Sequence, residues 1–173
     1  MGLEKSLGDL KKGFMSYFNA QFDTEQIESM NITAKPLEDC NDALVFAFDD
    51  SKSFLNLFRL ALDEQGYSGE LHLFQRFYNF YPCLEKKARR IKDSDHAWVI
   101  TDWVLNQPLT KEANIERLCQ YFPDDQRRKI VVVTNYLSEE IKQACFQRGV
   151  FNVYQKPDDY VSLLRLIETV TSN

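Results

Sequence analysis

Five polar residues stand at the ends of short apolar segments, and their side chains are of types that suit phosphoryl chemistry. They are Asp49, Asp50, Asp102, Thr134 and Lys156. Carboxylates brought together repel one another, and a magnesium ion with oxygen ligands is the natural way to offset that repulsion. Beside such an ion, one aspartate can act as a nucleophile towards a phosphoryl group and form an aspartyl phosphate. The hydroxyl and ammonium groups can then bind the phosphoryl oxygens.

Short apolar segments alternate with longer amphipathic ones over most of the chain. The apolar segments predict strands at 44–48, 70–74, 97–101, 130–134 and 151–155. The amphipathic segments predict helices at about 52–65, 75–91, 109–122, 138–148 and 158–171. Five strand–helix units in succession predict an α/β fold, a doubly wound parallel sheet with helices on both faces. Ligands of such sheets bind at the carboxyl ends of the strands, which is where the five candidate residues fall.

The first 42 residues have a different pattern. Apolar residues three or four positions apart predict an amphipathic helix over 3–22; they are Leu3, Leu7, Leu10, Phe14, Phe18 and Phe22. The polar stretch at 35–42 is typical of a linker. We therefore predict an N-terminal helical extension and linker at 1–42 and a single domain at 43–173. The apolar stripe is expected to pack either on its own domain or on a second protomer.

Composition argues against several classes of protein. The 173 residues carry 21 basic and 26 acidic side chains, so the net charge of −5 gives no basis for direct nucleic-acid binding. The longest apolar run, Ala43–Phe48, is far shorter than the roughly 20 residues that cross a bilayer. We expect no membrane segment. A basic cluster at 86–92 is interpreted as the solvated face of the second predicted helix.

The cysteines do not form a recognisable metal or disulfide motif. They are widely separated, without a C-x-x-C pair, and the chain has only two histidines to complete a zinc site; the cysteines are Cys40, Cys83, Cys119 and Cys145. Free thiols in a reducing compartment are the simpler interpretation. The expected location is the cytoplasm.

Residues 43–171 resemble the receiver domains of response regulators in bacterial two-component systems. Four short motifs after predicted strands carry the resemblance: Phe48-Asp-Asp-Ser51, Thr101-Asp102, Val133-Thr134 and Gln155-Lys-Pro157. Each motif is weak alone, but their order and their placement at strand ends make the set specific. The resemblance implies a flavodoxin-like sheet of strand order 2-1-3-4-5 and a phosphoprotein of phosphorelay signal transduction.

The resemblance also implies a role for each candidate residue. Asp102 would be the phosphoacceptor, and Asp50 and Asp102 would bind Mg²⁺ directly. Asp49 would assist through water, and the carbonyl of Val104, two residues past the acceptor, would supply another metal ligand.

Two further positions would contact the phosphoryl group itself. They are Thr134 and Lys156, and the bond between Lys156 and Pro157 is typically cis in this family.

Three departures from the family pattern concern switching and phosphate lifetime. Asn135 stands where the family usually has a small residue, and we expect it to shield the phosphoryl group from water. The usual aromatic switch position in the fifth strand is Val153, with Tyr154 one place later. Pro108 lies two places further from Asp102 than is usual. Because Val153 is short and branched, we expect another element to bias the switch.

Three functions remain open at this level. The first is a receiver, not an enzyme, that takes its phosphoryl group from a histidine kinase or phosphotransfer protein. It would act on a downstream protein or an output domain, and it could form a homodimer. The second is a degenerate receiver that acts as a phosphorylation-independent interaction module. The third is a haloacid-dehalogenase-type phosphohydrolase, although that family has D-x-D-x-T where this chain has Asp-Asp-Ser.

Overall fold

The computed structural model describes residues 43–104 and 111–171. The N-terminal extension predicted for 1–42, with its helix over 3–22, lies outside the described residues, as does Pro108. Five parallel strands form one sheet: β1 (Leu44–Phe48), β2 (Glu70–Phe74), β3 (Ala97–Thr101), β4 (Ile130–Thr134) and β5 (Asn152–Gln155). Their order is β2-β1-β3-β4-β5, which confirms the predicted topology.

The helices of the described residues fall close to the predicted segments. They are α1 (Lys52–Glu64), α2 (Phe77–Asp93), α3 (Lys111–Tyr121), α4 (Glu139–Phe146) and α5 (Tyr160–Thr171). Phe151 was predicted to begin β5 but lies outside it and is 67% exposed. A 3₁₀ helix at Asp124–Lys129, which the sequence pattern did not predict, leads into β4.

The sheet has a hydrophobic core on each face because side chains alternate along every strand. On one face Val45, Trp98 and Val131 pack against α1 and α5. On the other, Phe46 and Val99 pack against α2, α3 and α4. Strands β1, β3 and β4 are buried throughout, as expected for the centre of a parallel sheet covered on both faces.

Local side-chain contacts fix where the helices begin at the carboxyl edge of the sheet. The Ser51 hydroxyl accepts the Phe54 N–H at 3.2 Å and caps α1. The Ser138 hydroxyl accepts the Ile141 N–H at 3.3 Å and caps α4. Both are N-caps in which an oxygen takes up an otherwise unpaired helical N–H. The loops after β1 and β4 are therefore short and anchored.

Two ionic contacts attach α2 to the edge strand β2. The carboxylate of Glu70 binds Lys87 and Arg90 on α2 and lies 2.5 Å from His72 Nε2. The basic cluster at 86–92 is therefore only partly a solvated face, because two of its members hold α2 against the sheet. No helix of the described ranges is both long and apolar enough to cross a membrane.

Candidate functional site

Three aspartates meet at the carboxyl edge of the sheet. The backbone N–H of Asp102 donates to the carbonyl of Phe48 at 3.1 Å, so the pairing of β1 with β3 continues into the site. Carboxylate oxygens of Asp49, Asp50 and Asp102 all lie within 4.8 Å of one another. Asp49 and Asp102 are buried and Asp50 is half-buried. The structure thus brings the three predicted acidic residues into one cluster.

Lys156 enters this cluster from the end of β5. Its Nζ lies 2.7 Å from Asp102 Oδ2 and donates a hydrogen bond to it. The same Nζ lies 2.7 Å from Asp49 Oδ2. It also lies 4.8 Å from the centre of the Phe54 ring, a cation–π distance. One buried ammonium therefore serves two buried carboxylates.

Backbone donors hold the other oxygen of each carboxylate. The Ser51 N–H donates to Asp49 Oδ1 at 2.8 Å, and the Val104 N–H donates to Asp102 Oδ1 at 3.0 Å. The orientation of Asp102 is therefore fixed from two sides, by its own loop and by Lys156. This contact involves the Val104 N–H; the predicted role of its carbonyl as a metal ligand stays a prediction.

Burial dominates the electrostatics of Asp49. It raises the pKa of the carboxyl group to about 6, against the opposing charge of Lys156. For Lys156, burial alone would lower the pKa of the ammonium. The charges of Asp49 and Asp102 outweigh burial, and the pKa is raised. The lysine is therefore a permanent cation, whereas Asp49 carries its charge at an energetic cost.

The cluster has the composition of a site for a hard cation. Asp49 Oδ2 is buried, and although Lys156 Nζ lies close to it, no donor among the described residues gives it a hydrogen bond of normal geometry. Three carboxylates face one another with one lysine between two of them. Clustered carboxylate oxygens are ligands that Mg²⁺ prefers, so these residues fit such an ion.

Thr134 is fully buried at the end of β4, next to β5. Its carbonyl accepts the Lys156 N–H at 2.7 Å, and its hydroxyl accepts the Tyr136 N–H at 3.4 Å. The loop after β4 is thereby tied to the strand that carries the lysine. The expectation of a cis bond between Lys156 and Pro157 is wrong, since no peptide bond among the described residues is cis.

A buried polar network lies next to Asp102, on the face of the sheet that α2 and α3 cover. The Asn114 amide donates to the Thr101 hydroxyl at 3.1 Å, and that hydroxyl donates to the Asp102 carbonyl at 3.2 Å. The Tyr81 hydroxyl donates to Asn114 Oδ1 at 2.5 Å. This network joins α2, α3 and β3. No sequence pattern indicates this network, because its members are far apart in sequence and share no motif.

Val153 and Tyr154 are neighbours in β5, and their side chains face opposite sides of the sheet. Val153 is half-buried against the core of α2, α3 and α4, whereas Tyr154 packs towards α1 and α5. Trp103, which follows Asp102 in the sequence, is buried in the same core as Val153. It covers apolar surface, as a loop aromatic is expected to do.

The strand order and the helices on both faces define a flavodoxin-like α/β domain. The chain is similar to a response regulator receiver domain from Rhodospirillum rubrum, with a TM-score of 0.58 and 19% identity, over 74% of this chain and 94% of that one. It is also similar to the chemotaxis response regulator CheY4 of Vibrio cholerae, with a TM-score of 0.52 and 22% identity, over 74% of this chain and 98% of that one. These likenesses show that the chain has the receiver fold.

No protein-family model matches the sequence, and no curated protein matches it. The structural likeness therefore rests on the arrangement of the sheet and helices at low identity.

Proposed function

We propose that residues 43–173 form a response-regulator receiver domain in which Asp102 accepts a phosphoryl group. The observation that supports this most directly is the placement of Asp102 between neighbouring carboxylates and Lys156, at the edge of the sheet where α/β folds bind ligands. A nucleophilic carboxylate, a hard-cation cluster and a fixed ammonium are the components that phosphoryl transfer to an aspartate requires.

The acidic cluster would hold the magnesium ion. Asp50 and Asp102 would bind it directly with the carbonyl of Val104, and Asp49 would act through water. When bound, Mg²⁺ offsets the negative charge of the carboxylates and of the incoming phosphoryl group.

The residues of the chain perform the remaining tasks. A carboxylate oxygen of Asp102 forms the new O–P bond while the P–N bond of a phosphohistidine donor breaks and its electron pair stays on the imidazole. Lys156 keeps its charge because its pKa is raised, so it can bind a phosphoryl oxygen in place of Asp102. The Thr134 hydroxyl would bind a second phosphoryl oxygen.

The proposed role is in signalling rather than in turnover. Receiver domains are signalling domains and are not generally classed as enzymes. A histidine kinase or phosphotransfer protein would supply the phosphoryl group, and a downstream protein, an output domain or a second copy of the chain would respond. Residues 1–42 are proposed as an extension of the domain, and the cytoplasm as its location.

Intact-mass measurement after incubation with acetyl phosphate and Mg²⁺ tests this function. We expect the native chain to gain one phosphoryl group, Asp102→Asn to gain none, and the exposed-site control Asp125→Asn to behave as native. Peptide mapping should place the modification on Asp102.

Two results would contradict the proposal. If the native chain takes up no phosphoryl group, the fold serves a phosphorylation-independent interaction module. If it hydrolyses small phosphate esters with multiple turnovers, it is a phosphohydrolase.

A further inference from the structure

The loop that follows β4 is held by a side chain at the end of β5. Gln155 donates through Nε2 to the carbonyl of Asn135 at 2.7 Å. Its Oε1 accepts the N–H of Leu137 at 3.2 Å. An amide side chain can donate and accept at once, so a single residue binds the backbone on both sides of Tyr136.

The residue between these two contacts reaches the site. The N–H of Tyr136 donates to the Thr134 hydroxyl at 3.4 Å, and this places a donor on one lone pair of that oxygen. A hydroxyl whose oxygen already accepts a hydrogen bond remains able to donate its own hydrogen. The contacts therefore run from Gln155 through the peptide of Tyr136 to the Thr134 hydroxyl.

We propose that Gln155 is a positioning residue for Thr134. By holding the backbone at Asn135 and Leu137, its amide keeps the Tyr136 N–H on the Thr134 oxygen, and the hydroxyl hydrogen stays directed to a phosphoryl oxygen. This inference rests on the proposed function and adds to it a role for Gln155, to which the motif Gln155-Lys-Pro157 assigns none. Gln155 acts through the loop and does not itself touch the phosphoryl group.

The rest of the loop does not depend on Gln155 for its fold. Ser138 caps α4 through the Ile141 N–H, and the Lys142 N–H donates to the Ser138 carbonyl. The Gln155 side chain is exposed at the edge of the sheet, so its replacement removes no buried packing. Variants at this position should therefore fold while losing the loop contacts.

Two variants of the full chain separate the two contacts. Gln155→Leu removes both the donor and the acceptor, whereas Gln155→Glu keeps an acceptor for Leu137 and loses the donor to Asn135. Gln143→Leu, at an exposed glutamine on α4, is the matched control.

The first measurement is amide hydrogen exchange of Leu137 in the unphosphorylated protein. We expect exchange to rise about threefold to tenfold in Gln155→Leu, less in Gln155→Glu, and not at all in the control, as loss of one exposed hydrogen bond implies. Unchanged exchange in Gln155→Leu would show that the Gln155 side chain does not hold the loop in solution and would overturn the inference.

The second measurement is the rate of phosphoryl uptake from acetyl phosphate with Mg²⁺, in the native and Thr134→Ala backgrounds. We expect Gln155→Leu to slow uptake about threefold when Thr134 is present, and to have no further effect in Thr134→Ala, because the two residues act in one chain of contacts. Equal uptake rates in the native and Gln155→Leu proteins, or a slower uptake that persists in the Thr134→Ala background, would overturn this inference but not the proposed function. Absence of uptake by the native chain would overturn the proposed function and this inference with it, even where the exchange result holds.

Discussion

The ammonium of Lys156 lies 2.7 Å from a carboxylate oxygen of Asp102, although the two residues are 54 positions apart in the sequence and a whole strand lies between them. Asp102 follows β3 and Lys156 follows β5, and β4 runs between these two strands. The lysine therefore reaches across the end of β4 to its partner. This bridge is the contact on which the electrostatics of the site depend, because both groups are buried.

Asp49→Asn is expected to stabilise the fold in metal-free buffer at pH 7. The native carboxylate is charged in a buried position that raises its pKa from 3.8 to about 6, so neutralising it removes an electrostatic cost. We expect the free energy of unfolding in urea to rise by about 1 to 2 kcal/mol. Asp125→Asn, on the surface, should leave it unchanged. A less stable Asp49→Asn protein would mean that the ion pair with Lys156 outweighs the cost of burial.

Asp50→Ala is expected to abolish magnesium binding with little loss of stability. Asp50 lies in the acidic cluster but is only half-buried, so its removal leaves the core intact while the cation loses one of few carboxylate ligands. Titration of Mg²⁺ against the fluorescence of Trp103, which follows Asp102 in the sequence, measures this. Native-like titration of the variant would remove Asp50 from the proposed ligand set.

Glu70→Gln is expected to show how acid weakens the attachment of α2. Lys87, then His72 and Arg90, lower the pKa of Glu70 from 4.5 to about 2. A lowered folded-state pKa means that the carboxylate stabilises the fold above pH 4.5 and that this stabilisation is lost as the pH falls towards 2. At pH 7 the variant should be less stable by about 1 kcal/mol or less, since the pair is partly exposed to water.

The pH dependence of stability distinguishes the ionic contacts of Glu70 from an ordinary surface contact. The difference between native and Glu70→Gln proteins should shrink between pH 4.5 and pH 2 in urea unfolding. Glu139→Gln is the control, because Glu139 pairs with Lys142 at an exposed position. A Glu70→Gln deficit that stays constant on acidification would show that Glu70 acts through packing instead of charge.

Deletion of residues 1–40 is expected to change thermal stability or association state. The six leucine and phenylalanine residues of the predicted helix over 3–22 form an apolar stripe that would otherwise face water. Thermal unfolding and sedimentation of the truncated and full-length chains measure the effect. Identical midpoints and identical sedimentation would mean that the stripe is buried neither on the domain nor on a partner.

Much of the fold was predictable because its determinants are local. Strands such as Leu44–Phe48 are apolar throughout, and helices such as Lys52–Glu64 are amphipathic, so the alternation of elements is visible in the sequence. The parallel connection of these units then places residues after the strands on one edge of the sheet. For this reason the sequence alone predicts that Asp49, Asp50 and Asp102 lie close together, as they do.

How the site residues contact one another is determined by the tertiary fold. No local sequence pattern indicates that Lys156 contacts both Asp49 and Asp102. None indicates that Gln155 holds the backbone around Tyr136, or that the Lys156–Pro157 bond is trans. Each depends on how far a side chain or loop at one strand end extends towards another. The sequence by itself determined which chemical groups arrive at the edge of the sheet, because backbone periodicity sets that. Packing across β4 and β5 determined which of them pair, because hydrogen bonds and ion pairs are short-ranged and require the final three-dimensional positions.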